Sequence, residues 1–210
     1  MATNRQAITL QTILQPNLDS VFSFANGQTV TRAELLSHAL QLSGQLPEKC
    51  YAVNLCQDRY LFTVAFLAVI LRNQVNLLPP NQAPNSVNGL FSNYPQSYCI
   101  VDHPKEFEGE RFLLEHHKLS NCNDNFPPIN TDQIVSISFT SGSTGEPKRI
   151  EKTWREFHQC AQLAIDRFAL NEQQLMMIAT VPPQHMYGLE SSVFWPLFSR
   201  TSINSCRPFF

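Results

Sequence analysis

The run Phe139-Thr140-Ser141-Gly142-Ser143-Thr144-Gly145-Glu146-Pro147-Lys148 packs four hydroxyls, two glycines and a terminal lysine into ten residues. It directly follows the β-type stretch Ile134-Val135-Ser136-Ile137-Ser138. This is a composition suited to wrapping a polyphosphate. Glycines let the backbone approach closely and take positive φ. Exposed N–H groups and hydroxyls offer donors, and Lys148 adds a point charge. The G-x-x-x-x-G-K-[ST] spacing of a Walker loop is absent, which disfavours a P-loop kinase. Flexible linkers and hairpin turns share this composition. A linker, however, sits between polar segments, whereas this run is clamped between an apolar strand and a second ordered segment. Glu146-Pro147 also ends it abruptly, because proline fixes its own φ and restricts the residue before it.

A second candidate is Pro182-Pro183-Gln184-His185-Met186-Tyr187-Gly188, which follows the strand-like Met176-Met177-Ile178-Ala179-Thr180. A lone histidine after two prolines is commonly a structural loop residue. Here the loop hangs from the carboxyl end of an expected strand, where ligands bind in open α/β sheets, and this gives His185 a pocket role. Met186, Tyr187 and Trp195 fit either an acyl or aryl pocket or the core, and Glu190 reads as a helix-dipole partner.

The ten residues from Phe139 to Lys148 resemble the phosphate-binding signature T-S-G-S-T-G-x-P-K of the adenylate-forming superfamily, with its aromatic lead-in. That group holds acyl-CoA synthetases, adenylation domains of peptide synthetases and firefly luciferase. The His185 segment is similar to the family's P-x-x-H-x-x-G stretch. The resemblance implies a two-step reaction that uses ATP and Mg²⁺. A carboxylic acid is activated as an acyl-adenylate, and a thiol of CoA or of an acyl carrier protein then takes the acyl group. It further implies that Thr140, Ser141, Gly142, Ser143, Thr144, Gly145 and Lys148 hold the phosphates, that Thr144 meets the metal, and that His185 lies near the acyl carboxylate. The role of His185 would be steric and electrostatic, since a carboxylate is already ionised near pH 7. One local departure is Arg149, where the family usually has a small residue; it is expected as a solvated surface charge or an added phosphate contact. Full members are more than twice as long as this chain. No counterpart of the adenine-binding segment, the Mg²⁺-holding glutamate, the ribose-binding aspartate or the C-terminal catalytic lysine follows Gly188. The sequence therefore reads as the truncated front part of an adenylating enzyme, inactive by itself. A non-catalytic remnant that binds nucleotide weakly or docks a partner is the alternative.

The elements that must position these residues alternate. Val21–Phe24 and Gln28–Val30 flank Asn26-Gly27, a hairpin signal. Thr31 and Glu34 form a capping box, and the helix behind it meets Gly44 as its stop. A strand over Cys50–Leu55 leads to Asp58, which caps an almost wholly apolar helix from Arg59 to Asn73. Further expectations are a strand at Val75–Leu78, a helix near Ser86–Ser92 and a strand at Tyr98–Val101. The polar stretch Asp102–Asp132 is expected on the surface, with an edge strand at Phe112–Leu114. A second capping box at Thr153 and Glu156 starts a helix to Phe168, with Leu163 among its apolar positions, and a last helix covers Leu189–Ser199. A strand follows at Ser202–Cys206. The alternation predicts an α/β fold, with parallel-sheet-based layered subdomains and flanking helices. It fits the N-terminal part of the large domain of an adenylate-forming enzyme. Residues 1–128 form an N-terminal subdomain with its polar connection, and residues 129–210 hold the phosphate loop and the start of a second, incomplete subdomain.

Composition sets outer bounds. A net charge of −2 with no basic face argues against nucleic acid as a partner. The longest apolar stretch, Leu61–Leu71, falls short of the ~20 residues that span a bilayer, so no membrane span is expected. The six cysteines contain no C-x-x-C pair and the amino terminus has no apolar leader core, which fits a cytoplasmic protein with buried free thiols. The adjacent His116 and His117 lack metal spacing and are expected to face solvent. Apolar surface and strand edges left open by truncation favour a homodimer.

Overall fold

The computed structural model describes residues 8–9, 18–25, 27–104, 107–121, 126–140 and 148–205. In chain order the elements are β1 (Ile8–Thr9), β2 (Val21–Ala25), β3 (Gln28–Thr31), α1 (Arg32–Ser43), β4 (Tyr51–Asn54), α2 (Arg59–Leu71), β5 (Val75–Leu78), α3 (Pro84–Asn93), β6 (Ser97–Val101) and β7 (Arg111–Leu113). They continue as β8 (Pro128–Ile129), β9 (Ile134–Thr140), β10 (Lys148–Thr153), α4 (Trp154–Phe168), β11 (Met176–Met177), α5 (Met186–Leu189), α6 (Trp195–Phe198) and β12 (Ser202–Asn204). Between α5 and α6 the helix runs on as a π-turn over Glu190–Phe194.

Six strands form the main sheet in the order β10-β9-β5-β4-β6-β7, all neighbours parallel except the β9–β10 hairpin. A second sheet runs β11-β12-β2-β3, parallel apart from β2–β3. The expected α/β architecture with a parallel sheet and flanking helices is present. Strands from both sides of residue 128 share each sheet, since β9 lies against β5 and β12 against β2.

Local chemistry explains the elements nearest the site. Gly27, at φ 77°, takes the left-handed conformation the β2–β3 turn requires. Both capping boxes form, at Thr31 with Glu34 and at Thr153 with Glu156. Asp58 accepts the N–H of Leu61 and so starts α2, which is buried from Arg59 to Ile70. An aromatic cluster joins three helical segments. Phe66 of α2 meets Phe194 edge-on at 5.5 Å, Phe157 of α4 stacks on Phe194 at 4.1 Å, and Trp154 meets Phe198 of α6 at 5.5 Å. Arg32 at the start of α1 is 1% exposed and donates to the carbonyls of Pro196 and Thr201 at 2.9 and 2.8 Å, which anchors α1 to the last helix and strand. Burial pushes its guanidinium down to about 10.

Several expectations are corrected. The strand expected over Met176–Thr180 is only Met176–Met177, and Ile178 is 70% exposed. Strand pairing ends there because the carbonyls of Ala179 and Val181 bond to Arg59 instead. The last helix begins at Met186 rather than Leu189. Leu163 projects from the outer face of α4, opposite the buried stripe Trp154, Phe157, Ala161 and Ile165. Gly44 does end α1 as expected, though in right-handed backbone at φ −70°. Cys56 and Cys99 are buried, but Cys50 is exposed. Among the described residues no helix is long and apolar enough to cross a membrane.

Candidate functional site

The β9–β10 pairing places Lys148 directly opposite Thr140, the last residue of β9. Ser141, Gly142, Ser143, Thr144, Gly145, Glu146 and Pro147 connect this closed pair and lie outside the described residues, as does the side chain of Thr140. Lys148 is exposed and makes no ion pair among the described residues. The loop therefore issues from the carboxyl end of a strand that lies parallel to β5, with the lysine on the returning strand. Arg149 forms an ion pair with Glu151 and lies 6.0 Å from the ring centre of Tyr94, which supports its reading as a surface charge.

Beside the hairpin stem lies a cleft of about 220 Å³. Its lining comes from Ser138 and Phe139 of β9, from Gln184, His185 and Met186, and from Pro79 and Pro80 after β5. The structure thus brings the lead-in of the loop and the His185 segment together. His185 is the residue immediately before α5. Its side chain is exposed, its N–H bonds to Pro182 O at 3.1 Å and its carbonyl accepts from Leu189 at 2.8 Å. Of the three flanking candidates only Met186 lines this cleft. Tyr187 is 66% exposed, and Trp195 rests against Phe168 at 5.4 Å.

The shape of the His185 segment depends on residues that sequence reasoning missed. Arg59, 7% exposed, donates to Ser192 Oγ and to the carbonyls of Ala179 and Val181 at 3.2 and 3.0 Å. Ser192 Oγ in turn donates to Gly188 O. One guanidinium therefore holds the chain before His185 and the π-turned helix after it. Burial lowers its pKa, with Asp58 opposing. The available signal was a single cation in a thirteen-residue run that is otherwise uncharged. Gln184 is buried and donates to Cys56 O at 2.9 Å, tying the segment to the β4–α2 loop. Gly188 packs on Pro182 so closely that a Cβ would stand 2.2 Å from Pro182 O.

The β4–α2 loop is braced by Asp102, whose Oδ2 accepts the N–H groups of Gln57 and Asp58 at 2.7 and 2.6 Å. Its other oxygen meets His103 Nδ1 at 2.6 Å, and His103 Nε2 meets Gln57 Nε2 at 2.7 Å. Every ring nitrogen of His103 is engaged, so this Asp–His pair acts as a brace. Burial raises the Asp58 carboxyl above the usual range, opposed by the N–H groups of Leu61 and Tyr60.

The fold has counterparts among solved structures. An o-succinylbenzoate CoA synthetase (MenE) from Bacillus subtilis, bound to its product analogue OSB-NCoA, aligns with TM-score 0.79 at 19% identity over 98% of this chain and 45% of its own. Apo MatB from Rhodopseudomonas palustris gives 0.80 at 15% identity, over 98% and 46%. The Klebsiella oxytoca NpsA N-terminal subdomain, in complex with 3-hydroxybenzoyl-AMSN, gives 0.76 at 18% identity, over 96% and 53%. The chain spans about half the length of these structures. No curated protein matches the sequence. The profile of one family, described as AMP-binding enzyme, covers residues 29–209 and so takes in both the loop ending at Lys148 and the His185 segment. The chain belongs to the AMP-binding enzyme family.

Proposed function

We propose that this chain carries the phosphate-holding and acid-positioning part of an ATP-dependent ligase that activates a carboxylic acid as an acyl-adenylate, for transfer to a thiol of CoA or a carrier protein. The observation that carries the reading is the 220 Å³ cleft, which the lead-in of the loop and His185 line together. In the first step a carboxylate oxygen bonds to the α-phosphorus of ATP. The bond to the bridging oxygen breaks, and pyrophosphate leaves with the electron pair. No general base is needed, because the acid is ionised near pH 7. The protein's task is to orient the reactants and offset charge. In this reading the hydroxyls of Thr140, Ser141, Ser143 and Thr144, the backbone at Gly142 and Gly145, and the Lys148 ammonium hold the β- and γ-phosphates, and His185 stands beside the acid's carboxylate. Mg²⁺ would neutralise phosphate charge, with Thr144 as its protein ligand. Among the described residues no three His, Cys, Asp or Glu side chains gather to hold a metal. That fits a cation held by substrate phosphates with one protein oxygen, the usual habit of Mg²⁺ in nucleotide sites.

Calorimetric titration of the chain with Mg·ATP tests the lysine. Lys148→Ala weakens binding by about tenfold or more, the loss of one charge-assisted contact. Unchanged affinity would show that Lys148 has no part in holding phosphate.

A further inference from the structure

A larger cleft, of about 350 Å³, shares Gln184 with the first. Gln57, Arg59, Gln82 and Thr180 supply its polar lining, and Pro182 and Pro183 its apolar wall. Arg59 is the single charged residue in that lining. Its three hydrogen bonds go to neutral oxygens, and it forms no ion pair among the described residues. The acids on neighbouring positions are engaged elsewhere: Asp58 caps α2, and Asp102 holds the N–H groups of Gln57 and Asp58 and meets His103. Burying a guanidinium is costly, and the charge of Asp58, the next residue in sequence, offsets that cost only in part. Nη2 gives both its hydrogens to Ala179 O and Val181 O and Nη1 gives one to Ser192 Oγ, so Nε and the second Nη1 hydrogen are the charged donors left for an anion among the described residues.

We propose that the Arg59 cleft takes a second carboxylate of the acid substrate, so that the acid activated here is dicarboxylic. This rests on the acid-activating reading above. With the reacting carboxylate at His185, the carbon skeleton passes along Pro182 and Pro183 and the far carboxylate meets Arg59, amid amide and hydroxyl donors from Gln57, Gln82 and Thr180. The uncharged glutamines and threonine add hydrogen bonds without opposing the negative charge.

The test is calorimetric titration of the whole chain with α,ω-dicarboxylates from malonate to adipate, each beside the monocarboxylate of equal length. One dicarboxylate should bind about tenfold or more tighter than its partner, the contribution of one charge-assisted contact. Arg59→Gln should abolish that preference. Because Arg59 also holds the fold, Thr180→Glu provides an independent probe: Thr180 is exposed, and a carboxylate there repels the incoming anion while leaving the core intact. Absence of any preference, or a preference that survives Thr180→Glu, overturns the proposal. Inorganic phosphate that displaces the dicarboxylate with equal affinity would assign the cleft to a free anion and likewise overturn it. Mg·ATP binding by the same samples reports separately on the phosphate loop. Its loss beside an intact dicarboxylate preference would sink the phosphate reading and sustain this one.

Discussion

Gly188 has no room for a side chain, and its neighbour explains why. A Cβ there would lie 2.2 Å from the carbonyl oxygen and 2.9 Å from the carbonyl carbon of Pro182. Both atoms belong to the backbone, so relief requires the Pro182–Gly188 turn to open. Gly188→Ala should therefore cost about 1–3 kcal/mol. Thermal denaturation would read this as a Tm lower by roughly 2–4 °C for each kcal/mol. A variant with native Tm would show that the turn tolerates a methyl group and is not packed as described. The spacing from His185 to Gly188 was legible in the sequence, and so was the loop ending at Lys148. Arg59 and Gln184 were not. Their partners are Ala179, Val181, Ser192 and Cys56, more than a hundred residues away in sequence, and no local pattern encodes such a contact.

At the scale of elements, the two capping boxes carry a pH dependence of known sign. Glu34 accepts the Thr31 N–H at 2.7 Å, and Glu156 accepts the Thr153 N–H at 2.7 Å. These backbone hydrogen bonds are the main reason both carboxyls are held below the ordinary 4.5. A carboxyl with a depressed folded-state pKa stabilises the fold above its unfolded pKa, and that contribution fades as pH falls through the folded value. Stability against urea should thus decline as pH drops below 4.5. Glu34→Gln with Glu156→Gln should flatten that part of the profile, since glutamine keeps the box geometry without titrating. An unaltered profile in the double variant would assign the acid sensitivity to other groups. Both boxes were readable because each is complete within four residues. The two-residue β11 was misread for the opposite reason. Its apolar run suits a strand, but Arg59 takes the carbonyls beyond Met177.

Across the whole molecule, the alternation of strands and helices announced a parallel sheet, and the main sheet has one. Which strands meet was hidden. β2 pairs with β12 across nearly the length of the chain, and β9 reaches back to β5. α2 lies in the same core, where its Phe66 meets Phe157 and Phe194 edge-on and those two rings stack on each other. The fold brings the β9–β10 hairpin and the His185 segment to one cleft, although Phe139 and Gln184 lie 45 positions apart in the sequence. The central claim is that the hairpin ending at Lys148 holds the terminal phosphates of ATP. Phosphorus NMR of Mg·ATP, recorded as the chain is added, tests it most directly. The account predicts that the β- and γ-phosphate resonances shift and broaden more than the α-phosphate resonance, and that Lys148→Ala reduces the effect. Resonances that stay unmoved at saturating protein, or an effect confined to the α-phosphate, would contradict it.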